Sequence, residues 1–122
     1  MIQPGQIRRG DRVWSSKDSG EHGQPGDRSW LVLSHPEQHR AVQIVITVPL
    51  TSVDRGWETH VRMNPSAQEP AVAMCELVGS IPVRTIQRVD SAPFPDQFVE
   101  QAHSILSALT APRRRVTPDG GI

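Results

Sequence analysis

The chain has 122 residues, and its 13 lysine and arginine side chains balance its 13 aspartate and glutamate side chains, so the formal net charge is zero. This length predicts one domain with its own core, and the neutral total argues against binding to nucleic acid through overall charge. The single cysteine excludes an internal disulfide, and no apolar run reaches the roughly 18 residues of a membrane span. With no signal peptide at Met1–Pro4, these features predict a soluble protein of the cytoplasm.

The first half of the chain predicts short strands joined by loops. Arg12–Trp14 follows a turn and forms the first strand, and the glycine-containing residues 17–27 form a long exposed loop. Trp30–Leu33 is an apolar run typical of a buried strand, which ends at His35-Pro36. Val42–Val48 gives the strongest strand prediction because most of its side chains are β-branched.

The second half predicts further strands and then a helix. The strands are expected at Trp57–Met63, Ala71–Glu76 and Val83–Val89, with a turn at Gly79–Pro82 before the last of them. From Asp96 to Leu109, apolar residues recur every three to four positions, which is the pattern of an amphipathic helix. Several short strands followed by one helix favour a small barrel or a strongly bent sheet covered by that helix.

Metal and thiol chemistry find little support in the residue pattern. His35 and His39 are four residues apart, but Pro36 disfavours a helix between them, and no cysteine or carboxylate set completes a site. Cys75 lies among apolar neighbours, as buried cysteines usually do, and no glycine-rich phosphate loop is present. The sequence therefore predicts no metal and no cofactor.

One set of polar residues suits chemistry on a phosphodiester. Arginine offers several donors to phosphate oxygens, a hydroxyl can donate to the same group, and a carboxylate or imidazole can transfer a proton. Each residue taken alone also fits an ordinary solvated strand end or loop position. The set consists of Glu21, His22, Arg28, Thr51, Ser52 and His60.

The order of short motifs resembles the MazF/PemK family of toxin endoribonucleases over about residues 7–109. The family opens with an Arg-Gly-Asp turn before an aromatic residue, has a Gly-x-Glu loop and an arginine-led apolar strand, and carries Thr-Ser at a later strand end. The matching segments are Arg9–Trp14, Gly20-Glu21, Arg28–Ser34, Val48–Ser52, Thr59–Val61, Cys75–Val78 and the terminal helix.

This resemblance implies a mainly β fold, an SH3-like small barrel with a C-terminal helix, that forms a homodimer. It implies metal-independent cleavage of single-stranded RNA at short sequences, through attack of a 2′-hydroxyl, giving a 2′,3′-cyclic phosphate and a 5′-hydroxyl. Arg28 and Thr51 match the catalytic arginine and threonine, and Glu21 matches the acidic loop residue. The implied protein partner is a cognate antitoxin, similar to MazE, with a disordered acidic tail. We place further substrate contacts at His22, Ser52, Trp30 and His60.

Several positions depart from the family pattern and keep other functions open. Ser29 replaces a proline, Leu77 and Gly79 replace a glutamine and an arginine, and the loop before Arg28 is about two residues longer. A non-catalytic protein that binds RNA or an antitoxin is therefore the alternative. A gyrase poison resembling CcdB is disfavoured, because the end of the chain lacks that family's tryptophan.

The expected domain covers residues 1–112, and residues 113–122 form a disordered tail that is basic and contains glycine. Its Arg113-Arg114-Arg115 run is interpreted as a solvated segment.

Overall fold

A computed structural model describes residues 1–15, 28–63 and 71–112 of the chain. The described residues form seven strands and two α-helices, with short 3₁₀ turns at Pro4–Gln6, Cys75–Leu77 and Val83–Thr85. The strands are β1 (Arg12–Ser15), β2 (Arg28–Val32), β3 (Ile44–Thr51), β4 (His60–Arg62), β5 (Val72–Met74), β6 (Gly79–Pro82) and β7 (Ile86–Val89). The helices are α1 (Pro36–Val42) and α2 (Asp96–Thr110).

The strands pair antiparallel in the order β4-β5-β3-β2-β1-β7, with β6 attached to β3. Strand β3 is the centre of this arrangement because its eight residues are long enough to pair with three strands: β2, β6 and, at its end, β5. The predicted class, a mainly β fold with a C-terminal helix, is confirmed. Among the described strands the pairing forms an open path with β4 and β7 at its ends, rather than a closed ring.

Two apolar clusters lie on opposite faces of β2 and β3, because successive side chains of a strand point to opposite sides. Leu31 and Val48 belong to the first cluster, which is covered by Phe98 and its neighbours on α2. Val32 and Val45 belong to the second cluster, with residues of β1, β6 and β7. Burial on both faces fixes the register of these two central strands.

Helix α1 corrects the prediction that Pro36 disfavours helix here. Pro36 occupies the first helical position, where its missing N–H would have no partner within the helix anyway. Gln43 ends the helix in the left-handed conformation, with φ 59°. The strand predicted from Val42 therefore begins at Ile44, and it continues to Thr51.

The later strands are shorter than predicted, and one was missed. Gly79–Pro82, predicted as a turn, is a strand because it pairs with Ile44–Thr47 of β3. The predicted strands at Trp57–Met63, Ala71–Glu76 and Val83–Val89 shrink to three or four residues each, next to 3₁₀ turns in the last two cases. The helix predicted from Asp96 is confirmed and ends at Thr110.

Two predictions concern parts of the chain outside the described residues: the loop at 17–27 and the tail at 113–122. In the described part of the chain, neither helix is both long enough and apolar enough to cross a membrane.

Candidate functional site

A cavity of about 550 Å³ opens where β2 begins and β3 ends. Its wall includes Arg28, Thr51, Ser52 and His60, which are four of the six residues predicted to carry the chemistry. The segment after β3 and the 3₁₀ turn after β5 complete the wall. The paired strands β2 and β3 and the turns beside them thus bring together side chains that are far apart in sequence.

Arg28 and Thr51 face the same cavity because of the pairing between β2 and β3. Trp30 pairs with Pro49 and Leu31 with Val48. Arg28 lies two residues before Trp30 and Thr51 two residues after Pro49, so both side chains point to the same face of the paired strands. Both side chains are half-buried and both line the cavity.

The polar groups of this pair are available to a ligand. In the described part of the chain, no carboxylate forms an ion pair with the Arg28 guanidinium. The Thr51 hydroxyl accepts a hydrogen bond of 3.2 Å from the Val53 backbone N–H, which leaves its own proton for donation. Ser52 is exposed at the rim. A guanidinium beside a hydroxyl donor can hold one phosphate and stabilise charge that develops on it.

His60 lies on a different strand and is held by a carboxylate. It pairs with Met74 across β4 and β5, so its side chain lies beside the 3₁₀ turn that carries Glu76. The Nε2–H of His60 donates to Oε2 of Glu76 at 2.9 Å, and the Thr59 hydroxyl donates to Oε1 at 2.9 Å. The His60 side chain is only 2% exposed, whereas the Glu76 side chain is 26% exposed.

The Glu76 carboxyl is ionised in this arrangement. Burial raises the pKa of Glu76, but the hydrogen bonds from His60, from its own backbone and from Thr59 outweigh that effect. Its pKa therefore lies below the ordinary value of 4.5. Sequence analysis missed Glu76, because only the pairing of β4 with β5 brings it next to a residue 16 positions away.

Tryptophan side chains flank the cavity on two sides. Trp57 is 55% exposed, and its ring centre lies 4.9 Å from that of His60. Trp14 donates from Nε1 to Asp90 at 2.8 Å and lies under the guanidinium of Arg88, 4.4 Å from its ring centre.

Trp30 is the one predicted site residue, among those that the structure describes, that lies away from the cavity. Trp30, predicted to contact substrate, is 8% exposed and packs in the second apolar cluster, because it points to the face of β2 that is covered there. Glu21 and His22 lie outside the described residues.

The histidine and cysteine residues considered for other chemistry have structural roles. His39 is buried, donates from Nδ1 to the Ile7 carbonyl at 2.9 Å and accepts from the Ser34 hydroxyl at 2.6 Å. Burial, with a smaller effect of the Glu76 charge, raises the pKa of the buried Cys75 thiol to about 11, so it stays protonated. In the described ranges, no three metal-ligating side chains lie together.

Comparison with known proteins identifies relatives with this fold. A family model of PemK-like, MazF-like toxins of type II toxin-antitoxin systems matches residues 8–110. MazF from Deinococcus radiodurans is similar at 23% identity, with a TM-score of 0.71 over 84% of this chain and 94% of that chain. An endoribonuclease from a mycobacterial species, solved with its cognate antitoxin, has 21% identity and a TM-score of 0.71 over 88% of this chain and 99% of that chain.

The Mycobacterium tuberculosis toxin MazF-mt6 is also similar, at 18% identity and a TM-score of 0.60 over 79% of this chain and 92% of that chain. A comparison with curated proteins gave no match. The structural likenesses show the fold, and the family model covers most of the chain. The chain therefore belongs to the PemK-like, MazF-like toxins of type II toxin-antitoxin systems.

Proposed function

We propose that this protein is a toxin endoribonuclease that cleaves single-stranded RNA at short sequences without a metal ion. The cleavage leaves a 2′,3′-cyclic phosphate and a 5′-hydroxyl end. The observation that carries the proposal is the convergence of Arg28 and Thr51 on one cavity wall, in a chain of the toxin family. We place this activity in the cytoplasm and in a homodimer.

Arg28 and Thr51 both bind the scissile phosphate, and each has a different role. The guanidinium binds the non-bridging oxygens and stabilises the negative charge that grows as the 2′-oxygen attacks phosphorus. The Thr51 hydroxyl donates to the same phosphate and fixes the orientation of that phosphate. The oxygen of this hydroxyl accepts from the Val53 backbone N–H, which holds the side chain in place. Ser52 contacts the neighbouring nucleotide from the rim. Glu21 transfers a proton to the leaving 5′-oxygen through a water molecule in this proposal, and His22 is a substrate contact.

A cognate antitoxin is the proposed protein partner. The cavity wall carries the cations Arg28 and Arg55, which an acidic peptide segment would neutralise as RNA phosphates do. Solved relatives include complexes of MazE with MazF. An antitoxin tail that folds into this cavity would therefore compete directly with RNA.

The first experiment is digestion of mixed cellular RNA by the purified protein, with and without a chelator, followed by mapping of the ends. Arg28→Ala and Thr51→Ala are each expected to lower the cleavage rate by about 100-fold or more, because each removes a donor to the transition-state charge. Circular dichroism should show an unchanged fold.

Two substitutions outside the cavity are the matched controls. Arg84 is exposed in the 3₁₀ turn before β7, and Thr110 is exposed at the end of α2. Arg84→Ala and Thr110→Ala should cut at the wild-type rate. Wild-type cleavage by both the Arg28 and the Thr51 variants would refute the assignment.

One observation favours a second function, binding without cleavage. Leu77, which replaces a polar family residue, is 52% exposed at the cavity wall and suits contact with an apolar side chain of a partner. A protein that binds RNA or an antitoxin but leaves mixed RNA intact would establish this alternative.

A further inference from the structure

His60 and Glu76 form a polar pair that the phosphate contacts of Arg28 and Thr51 leave unused. Their 2.9 Å hydrogen bond lies in the wall of the same cavity, behind Trp57. A carboxylate that receives the N–H of a nearly buried imidazole fixes the ring orientation and decides which nitrogen carries the proton in the neutral form. Here that nitrogen is Nε2.

The second ring nitrogen of His60 is then left with a lone pair. Nδ1 is buried and has no hydrogen-bond partner among the described residues. Buried polar atoms without a partner are rare in folded proteins, because they lose water and gain nothing in return. A buried acceptor in the wall of a cavity is therefore suited to a donor that a ligand brings.

Trp57 is the aromatic neighbour of the ring that carries this nitrogen, and both residues line the cavity. Its indole lies against the imidazole at a tilt of 37°, yet more than half of the side chain faces solvent. It belongs to the segment 52–57, which has no regular secondary structure and whose residues are all exposed. A stacked nucleobase can take the place of the indole at small cost, which would bring a ribose hydroxyl to Nδ1.

We propose that His60 is the general base of the RNA cleavage, acting through Nδ1, and that Glu76 is the residue that positions it. The inference rests on the endoribonuclease function proposed above. The Nδ1 lone pair takes the 2′-hydroxyl proton as the 2′-oxygen forms its bond to phosphorus. The bond from phosphorus to the 5′-oxygen breaks, and that oxygen takes a proton from water. The imidazolium, stabilised by the Glu76 carboxylate, then returns its proton to water.

A general base must be unprotonated to act, so this step depends on pH. Glu76 carries a negative charge beside His60, and Arg28 and Arg55 carry positive charges on the same cavity wall. Behind the ring, a second cavity of about 360 Å³ is lined by Arg62 and by uncharged residues of α2. The Arg62 charge is paired with Asp54 at 3.0 Å. Cleavage is therefore expected to slow as the pH falls and the ring becomes protonated.

The test uses a short RNA that contains one site mapped on mixed RNA, under single-turnover conditions. His60→Asn should lower the rate by about 100-fold or more, the usual contribution of a general base, and should remove the acid limb of the pH profile. Glu76→Gln should lower the rate less and move that limb to lower pH, because the protonated ring loses its carboxylate. His103→Asn on the exposed face of α2 is the matched control and should cut normally.

Two further measurements separate a general base from other roles. A substrate with sulfur at the 5′ bridging position needs no proton on its leaving group, so the His60→Asn defect should persist on it. Disappearance of the defect there would mean that His60 is the acid and would overturn the proposal. Binding of an uncleavable RNA with a 2′-deoxy sugar at the site should be the same for wild type and variant.

The possible failures are distinguishable. Wild-type RNA cleavage together with normal cleavage by His60→Asn would refute only the role of His60. A wild-type protein that cuts no RNA would end the proposed function and this inference with it. If His60→Asn does not fold, Glu76→Gln decides, and an unshifted acid limb would overturn the proposal.

Discussion

At the scale of single residues, the histidines show how burial and hydrogen bonding assign different roles to one side chain. His39 has both ring nitrogens paired within the protein, to Ile7 and to Ser34. His60 has one nitrogen paired and one without a described partner. The first arrangement is complete without a ligand and the second is not. Sequence spacing alone could not separate them, since Ile7 lies 32 positions from His39 and Glu76 lies 16 positions from His60.

The completed hydrogen bonding of His39 predicts a pH-dependent stability. Burial lowers the pKa of His39 below its ordinary value of 6.5, despite the opposing hydrogen bond to Ile7. Below about pH 6.5 the unfolded chain therefore binds a proton that the folded chain does not, and the free energy of unfolding falls as the pH falls. Urea unfolding between pH 8 and pH 5 should show this decline.

His39→Gln should be less stable than wild type at pH 8 and should lose stability less steeply toward pH 5. His103→Asn, which changes an exposed histidine, should keep the wild-type slope. If the free energy of unfolding depends on pH equally steeply in His39→Gln and in wild type, His39 is not the group that causes this dependence.

At the scale of elements, local signals were sufficient for some segments and insufficient for others. The periodic apolar face of α2 predicts a helix and the β-branched run of β3 predicts a strand, without information from the rest of the chain. Helix α1 was missed because a proline that stops a helix from inside can also begin one. Strand β6 was missed because Gly79 and Pro82 are turn residues, and only pairing with distant β3 makes them a strand.

The end of α1 offers a test of backbone strain. Gln43 is exposed and adopts φ 59° and ψ 28°, a left-handed conformation that is unfavourable for residues with a Cβ atom. Gln43→Gly should therefore raise the free energy of unfolding by about 0.5 kcal/mol, the relief of strain being partly offset by the greater freedom of glycine in the unfolded chain.

Ala41→Gly, two residues earlier and inside the helix, should have the opposite sign. Ala41 is also exposed, so glycine there costs about 1 kcal/mol of helix propensity without any relief of strain. Chemical denaturation of both variants checks the pair, and a destabilising Gln43→Gly would show that its side-chain bond to Arg40 outweighs the strain.

At the scale of the whole molecule, helix α2 and the sheet form one unit through the first apolar cluster. Cys75 lies in this cluster and contacts the Ala102 carbonyl of α2, with 3.6 Å between the sulfur and the oxygen. Because α2 covers it, the thiol becomes accessible when α2 separates from the sheet. The strand order and the cavity follow from such long-range packing, which is why the sequence predicted the class of fold and several residues that line the cavity but did not point to Glu76.

Thiol labelling should therefore report unfolding of the whole domain. In native buffer, Cys75 should react with a thiol reagent far more slowly than in the denatured chain, because the thiol is both buried and protonated. The rate should rise with urea in parallel with loss of circular dichroism, with Cys75→Ala as the unreactive blank. Rapid labelling of the native protein would show that α2 opens independently.

Strand β3 holds Thr51 at its last position, and the exposed segment 52–57 begins at the next residue. Thr51 pairs with Val72 of β5, whereas the residues just beyond it belong to neither apolar cluster. In the proposed function, the phosphate-binding residue and the exposed segment that would meet the flanking nucleotides are thus adjacent in the chain, and only the first belongs to the sheet. Under that proposal, substitutions in this short segment would change which RNA sequences are cut, while the strand that positions Thr51 stays the same.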